Sequence, residues 1–251
     1  MKKLGKILNL NIKKANKFKI KQIKKELDIN KVVVIKNQNI NEKQLINFSK
    51  NFGKIHTHPL VNGMNKYPEI LQVVKEKNEI IDFGEKWHSD NSFLKVPSTY
   101  SILYGYMIPN KTNDTLFCDM NYIYNILPQD IKNKIKNKKA CHDAFKSFNR
   151  QKMKNNDIYI NNNINYNLHP IVTNNTLFIN EMFTTFICNI TPTESRNILN
   201  EIFSIINNNK YYYRHKWDKK DIIIWDNRYV QHMVEENKNS GKRIIRRITV
   251  I

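Results

Sequence analysis

The segment Trp87-His88-Ser89-Asp90-Asn91-Ser92-Phe93 sets an imidazole and a carboxylate two positions apart. On a strand, side chains alternate faces, so His88 and Asp90 point the same way and Ser89 points the other way. Such a pair can give two ligands to one hard-to-borderline metal ion, and a plain His–Asp hydrogen bond is the other reading of the same residues. A second imidazole, His232, follows the apolar run Asp221–Trp225 and the turn Asp226-Asn227-Arg228. The last run, Arg243-Ile244-Ile245-Arg246-Arg247-Ile248-Thr249-Val250-Ile251, puts Arg243 and Arg247 on one face of a strand and Arg246 on the other. A guanidinium cannot shed its proton to escape burial, so two arginines on one face of an apolar strand call for anions to meet them. Two His, one carboxylate and two inward arginines together suggest a site for Fe(II) with an acidic cosubstrate beside it.

These residues need a scaffold, and the hydrophobic pattern outlines one. Ile20, Ile23 and Leu27 lie on one face of a helix over 19–28, Val32–Ile35 reads as a short buried strand, and Asn41 caps a helix through about Phe52. Beyond Gly53 come short β-like runs at Ile70–Val74, Tyr100–Met107, Thr115–Cys118, Thr176–Ile179, Asp221–Trp225 and Arg243–Ile251. Helices are expected near 121–136 and 192–206, the second behind the cap Thr191-Pro192-Thr193-Glu194. Many short strands with a few outer helices predict a mainly β, α+β fold with a double-stranded β-helix (jelly-roll, cupin-like) core. With no internal repeat and no linker, residues 1–251 read as one domain, its first 52 residues packing on the barrel. The Asn- and Lys-rich stretch 148–168 reads either as an active-site lid or mobile loop, or as a neutral insertion.

Composition excludes several classes. No run of 18 apolar residues exists to span a membrane, and Asn9, Asn11, Lys13 and Lys14 interrupt any signal-peptide core. Three scattered cysteines (Cys118, Cys141, Cys188) without a CxxC pair argue against a disulfide framework or zinc ribbon and fit a cytoplasmic setting. With six glycines there is no phosphate-binding glycine loop and no nucleophile elbow. A net charge of +20 would fit a polyanionic partner such as nucleic acid. However, Lys, Asn and Ile are abundant together and share A/T-rich codons, so genome composition explains the same excess. Only seven of the 42 basic residues are Arg, and three of those lie in the last strand.

Taken together, the motifs resemble the taurine dioxygenase and 2,4-dichlorophenoxyacetate dioxygenase family of Fe(II)/2-oxoglutarate enzymes. The resemblance runs from about Phe52-Gly53 to the end. It includes Trp87-His88-Ser89-Asp90, Asp114-Thr115-Leu116-Phe117, His169-Pro170-Ile171-Val172, Phe178-Ile179-Asn180-Glu181-Met182-Phe183-Thr184-Thr185, Trp225-Asp226-Asn227-Arg228, His232, and Arg243 to Thr249. The resemblance implies that His88, Asp90 and His232 hold iron, and that Arg243, assisted by Thr115, binds the distal carboxylate of 2-oxoglutarate. Arg247 is a further candidate for anion binding, to the cosubstrate or to the substrate. It also implies oxidative decarboxylation to succinate and CO2 coupled to hydroxylation of a substrate C–H bond, with O2 as co-reactant. The halogenating relatives have a small residue where Asp90 stands, so Asp90 favours hydroxylation.

His58 and Arg247 match positions that bind substrate in taurine dioxygenase, and Phe183 matches a pocket aromatic; Asn91, next to the metal motif, is a further substrate candidate. They imply a small anionic substrate, a sulfonate or a carboxylate. At the amine end Val61 and Gly84 stand where Tyr and Asn are expected, which tells against taurine. Asp226-Asn227-Arg228 is expected to shape the turn presenting His232, His169 to be structural, and Trp87, Trp217 and Trp225 to be core residues. A nucleic-acid binder or modifier on the same barrel is the alternative reading, and a homodimer or higher homo-oligomer is the expected assembly, dimers being the default.

Overall fold

A computed structural model describes residues 4–77, 84–110, 112–147, 166–235 and 241–251. Its main sheet contains β1 (Lys6–Leu8), β2 (Val32–Ile35), β13 (Ile222–Asp226), β5 (Tyr100–Met107) and β15 (Arg243–Val250), hydrogen-bonded in that order. The far edge of β15 is shared by β4 (Leu71–Lys75), beside Arg243–Arg247, and β3 (Ile55–His56), beside Thr249-Val250. A second sheet has the order β12 (Tyr212–His215), β6 (Thr115–Asp119), β14 (Val230–Val234), and a third β11 (Thr184–Ile187), β7 (Lys139–His142), β8 (Asn167–Pro170). The small pair β9 (Val172–Thr173) and β10 (Thr176–Leu177) completes the strands. Among the described residues every strand pairing is antiparallel except β1 with β2.

Period-two alternation divides the interior. Val33, Ile35, Ile102, Tyr104, Ile222, Ile224, Ile248 and Val250 pack on one face of the main sheet, against α1 (Lys17–Asn30) and α2 (Glu42–Ser49). Val32, Val34, Leu103, Ile223, Trp225 and Ile245 pack on the other, against Phe117 of β6 and Val230 of β14. A strand covered on both sides must be apolar at every position, which is why Ile222-Ile223-Ile224-Trp225 lacks polar alternation. The second interior is the cavity side of the jelly roll, and Arg243 and Arg247 share the Ile245 face that points there. Arg246 points the opposite way, where it pairs with Glu42 of α2 at 2.9 Å and lies over the Tyr106 ring at 3.5 Å.

Local signals explain most element ends. The Asn16 side chain caps α1 through the Lys19 amide at 3.0 Å, and Lys31, in the left-handed region at φ 61°, ends it. Asn41 and Gln44 form a capping box on α2. The single helix expected over 121–136 is two, α3 (Met120–Ile126) and α4 (Gln129–Ile135). Pro128 breaks it, having no N–H for the ladder and disfavouring helical backbone at Leu127. Within the first 52 residues, β1 and β2 extend the main sheet through β13, and α1 and α2 pack on one of its faces. Residues 148–165 of the suspected lid lie outside the described residues, and 167–170 form β8. Among the described residues no helix is long and apolar enough to cross a membrane. A third long helix, α5 (Pro192–Asn207), buries Ile198, Leu199, Ile202 and Ile206 behind its Thr191 cap.

Candidate active site

The fold brings His88, Asp90 and His232 together: one ligand atom from each lies within 4.8 Å of the others, and all three residues are buried. Among the described residues no other group of three His, Cys, Asp or Glu gathers in this way. His232 sits on β14, with its ring against Trp225 at 4.5 Å and stacked on Phe117. His88 joins it by a reciprocal backbone bridge, N to O at 3.0 and 2.9 Å. Strand pairing at this motif is only this one bridge, because Asn91 at φ 54° turns the chain and its carbonyl accepts from the Leu94 amide. The facing still holds over three residues, since the Ser89 hydroxyl points away to the Val230 carbonyl at 3.3 Å.

The donors suit a divalent metal. His88 donates from Nδ1 to the Lys86 carbonyl at 2.7 Å, which leaves the Nε2 lone pair toward Asp90 Oδ1, 3.9 Å away. His232 Nδ1 is buried with no hydrogen-bond partner among the described residues. Burial pushes the His88 imidazole down, and burial with the neighbouring His88 brings His232 down to about 3, so both rings are neutral. Burial pushes the Asp90 carboxyl up, but the Arg247 guanidinium, with the imidazoles and Ser101, holds it well below the usual carboxylate range. Two neutral imidazoles and one carboxylate fit Fe(II).

Two further groups surround the triad. Thr115 on β6 accepts a hydrogen bond from Trp217 Nε1 at 2.9 Å, and Arg243 lies over the same indole at 5.8 Å. Trp217, expected as a core residue, is buried but also joins these two side chains. Phe183 stands edge-on to His88 at 6.2 Å and to Phe93 at 5.1 Å. It belongs to an apolar cluster with Leu60, Phe93, Ala144 and Met182. His58 Nδ1 accepts from the Leu60 and Val61 amides at 3.2 and 3.1 Å, and burial and Arg247 push its imidazole down to about 3. A cavity of about 10 Å³, room for one water, is lined by His56, His58, Val61, Arg247 and Thr249 among others. Asn91 is buried, with its amide donating to Ser98 Oγ at 2.9 Å.

Several residues make contacts here that the sequence motifs did not assign. Ser101 donates to Asp90 Oδ2 at 2.6 Å, and Asn227 reaches past the turn it was expected to shape, accepting from the Asp90 amide at 3.1 Å. The remainder of that turn behaves as expected, Arg228 folding back on Asp226. Ser92 donates to His142 Nδ1 at 3.0 Å and accepts from Asn180 at 2.9 Å, while Asn180 Oδ1 receives the Phe183 amide. His142 Nε2 donates to the Phe178 carbonyl, so the ring is the neutral tautomer. His169 is structural, donating to the Leu94 carbonyl at 2.9 Å.

Two expectations follow. Burial holds His142 at about 3, against 6.5 when unfolded, so the unfolded chain binds the extra proton between those values. Stability therefore falls as pH drops through that window, by up to about 1.4 kcal/mol per pH unit for this group. Urea midpoints of His142→Gln should show a shallower slope than the wild type. Gly84 has φ 93°, and a Cβ there would lie 3.1 Å from His88 Cε1 and 3.7 Å from Val234. Gly84→Ala should cost about 1–2 kcal/mol of stability and weaken divalent-metal binding by pressing on the ligand ring, read by melting and Co(II) titration.

The chain is 26% identical over 257 residues to an alpha-ketoglutarate-dependent 2,4-dichlorophenoxyacetate dioxygenase of Cupriavidus pinatubonensis, covering 92% of this chain and 88% of that one. It is 24% identical to an alpha-ketoglutarate-dependent sulfonate dioxygenase of Saccharomyces cerevisiae, over 80% of this chain and 53% of the relative. A crystal structure of a putative alpha-ketoglutarate-dependent taurine dioxygenase from Burkholderia xenovorans superposes with TM-score 0.81 at 21% identity, covering 99% of this chain and 89% of that one. It shares the jelly-roll fold. The family model matched by residues 2–249 begins well before Phe52, so the family likeness includes the first two strands. The chain belongs to the taurine catabolism dioxygenase TauD, TfdA family.

Proposed function

We propose that this site hydroxylates a small organic acid, a carboxylate or sulfonate with an apolar body, at the expense of 2-oxoglutarate. As a member of its family the chain is an oxidoreductase, an alpha-ketoglutarate-dependent dioxygenase using Fe(II) and 2-oxoglutarate. The observation that carries the substrate reading is a buried guanidinium, Arg247, bonded to Asp90, together with an apolar cluster whose Phe183 ring stands edge-on to His88. Arg247 receives the acid group, and Leu60, Phe93 and Phe183 line the berth of the body. Val61 and Gly84 offer nothing to an amine.

His88, Asp90 and His232 hold the iron, which supplies the O2 chemistry that yields succinate and CO2 and oxidises the substrate. Arg243 takes the distal carboxylate of 2-oxoglutarate with its planar fork, and the Thr115 hydroxyl, held by Trp217, donates a second bond to it. Neutral His58, its Nδ1 accepting from two amides, lines the small cavity beside Arg247. A cytoplasmic location belongs to the same proposal, supported by the free thiols of Cys118, Cys141 and Cys188. The named relatives act on small molecules, and the +20 charge is not read as a nucleic-acid footprint.

The test is succinate formation by purified protein with Fe(II) and 2-oxoglutarate across aryloxyacetates, fatty acids, alkylsulfonates and aminoalkylsulfonates. Stimulation is expected from acids with apolar bodies. Equal or better stimulation by aminoalkylsulfonates would refute the apolar assignment, and stimulation by none of them would refute the acid reading.

A further inference from the structure

The two oxygens of Asp90 have separate duties. Oδ2 accepts from Ser101 at 2.6 Å, and Ser101 in turn accepts from Asn227 Nδ2 at 2.8 Å. Asn227 Oδ1 takes both the Asp90 amide at 3.1 Å and Trp225 Nε1 at 2.9 Å, so one side chain fixes the backbone and, through Ser101, the carboxylate. Asp90, Ser101 and Asn227 are all buried, and the carboxylate has no freedom to swap its oxygens. The oxygen that faces His88 Nε2 is therefore Oδ1, and it is this oxygen that Arg247 Nη1 meets at 2.7 Å. Arg247 also lines the small cavity with His56, His58 and Thr249, which places it between the ligand carboxylate and that cavity.

We propose that Arg247 is an internal rival of the metal for Asp90 Oδ1, and that an acid docking on Arg247 relieves the rivalry, so that acid and metal bind cooperatively. A fixed positive charge beside a ligand oxygen in a buried site repels a divalent cation with little screening. An anion on the guanidinium offsets that charge and draws its hydrogen bonds away from Oδ1. Linkage then makes the effect reciprocal: metal must favour the acid by the same factor by which the acid favours metal. The acid half rests on the reading of Arg247 given under Proposed function, whereas the rivalry itself does not.

The experiment is Co(II) titration by absorbance, without 2-oxoglutarate, on wild type, Arg247→Gln and Ser101→Ala, each with and without phenoxyacetate or 1-propanesulfonate. Wild type should bind Co(II) about 5-fold tighter or more with acid present. Arg247→Gln should bind Co(II) tighter than wild type without acid and be indifferent to acid. Ser101→Ala should lose about 10-fold or more in Co(II) affinity while keeping the acid effect. Tighter binding in Arg247→Gln is the result that supports the rivalry, and Co(II) binding no tighter than wild type in a folded variant overturns it. So does an acid that binds wild type by calorimetry yet leaves its Co(II) affinity unchanged, an arm that needs no variant. If neither acid binds wild type, the acid berth on Arg247 falls, and the comparison of wild type with Arg247→Gln still decides the rivalry.

Discussion

Asp90→Ala is expected to abolish Co(II) binding and 2-oxoglutarate turnover together, and to destabilise the fold by about 3–5 kcal/mol. The two effects have different origins. The first is loss of the one anionic ligand among three, which leaves two neutral imidazoles to hold a divalent cation. The second arises because Arg247, buried and bonded to Asp90 Oδ1 at 2.7 Å, loses its carboxylate and cannot neutralise itself. The Ser101 hydroxyl loses its acceptor at the same time, while Asn227 keeps its bond to Ser101. Asp90→Asn separates the two effects. Its amide oxygen can still serve Arg247, so the fold loses less, while metal binding remains severely weakened. Urea midpoints report the first quantity and Co(II) absorbance the second. Retention of tight Co(II) binding by Asp90→Ala would remove Asp90 from the ligand set.

The candidate ligands were legible in the sequence because their signal is local and chemical. His88 and Asp90 sit in one tripeptide, and the arginines stand out on an apolar strand. Alternation along Arg243–Val250 correctly separated Arg246, which pairs with Glu42 on the outer face, from Arg243 and Arg247 on the inner one. What was not legible is whatever depends on register between distant strands. Ser101 reaches Asp90 because β5 lies between β13 and β15, and nothing in Tyr100-Ser101-Ile102 announces it. Trp217 looked like bulk, yet its single polar atom is what ties it to Thr115. Pro128, by contrast, was a visible break in the run 121–136, and its missing N–H splits the expected helix in two.

Arg243→Leu is expected to raise the KM for 2-oxoglutarate by about 100-fold or more, equivalent to about 2.7 kcal/mol, because it removes the charged fork from a buried carboxylate contact. The variant also loses the guanidinium that lies over the Trp217 indole at 5.8 Å. Arg243→Lys restores the charge but not the paired donors, and should fall between the two. Thr115→Val removes one neutral hydroxyl and should cost about 10-fold or less. None of the three touches Asp90, so Co(II) affinity should stay at the wild-type level, the opposite of what Asp90→Ala does. That contrast distinguishes a binding arginine from a structural one: a residue needed only for folding would lower metal affinity, thermal midpoint and cosubstrate binding together. Steady-state kinetics with 2-oxoglutarate varied at saturating acid, set beside Co(II) titration of the same preparations, reads both. An unchanged KM in Arg243→Leu would move the cosubstrate to another cation, and Arg247 is the one that shares its face of the strand.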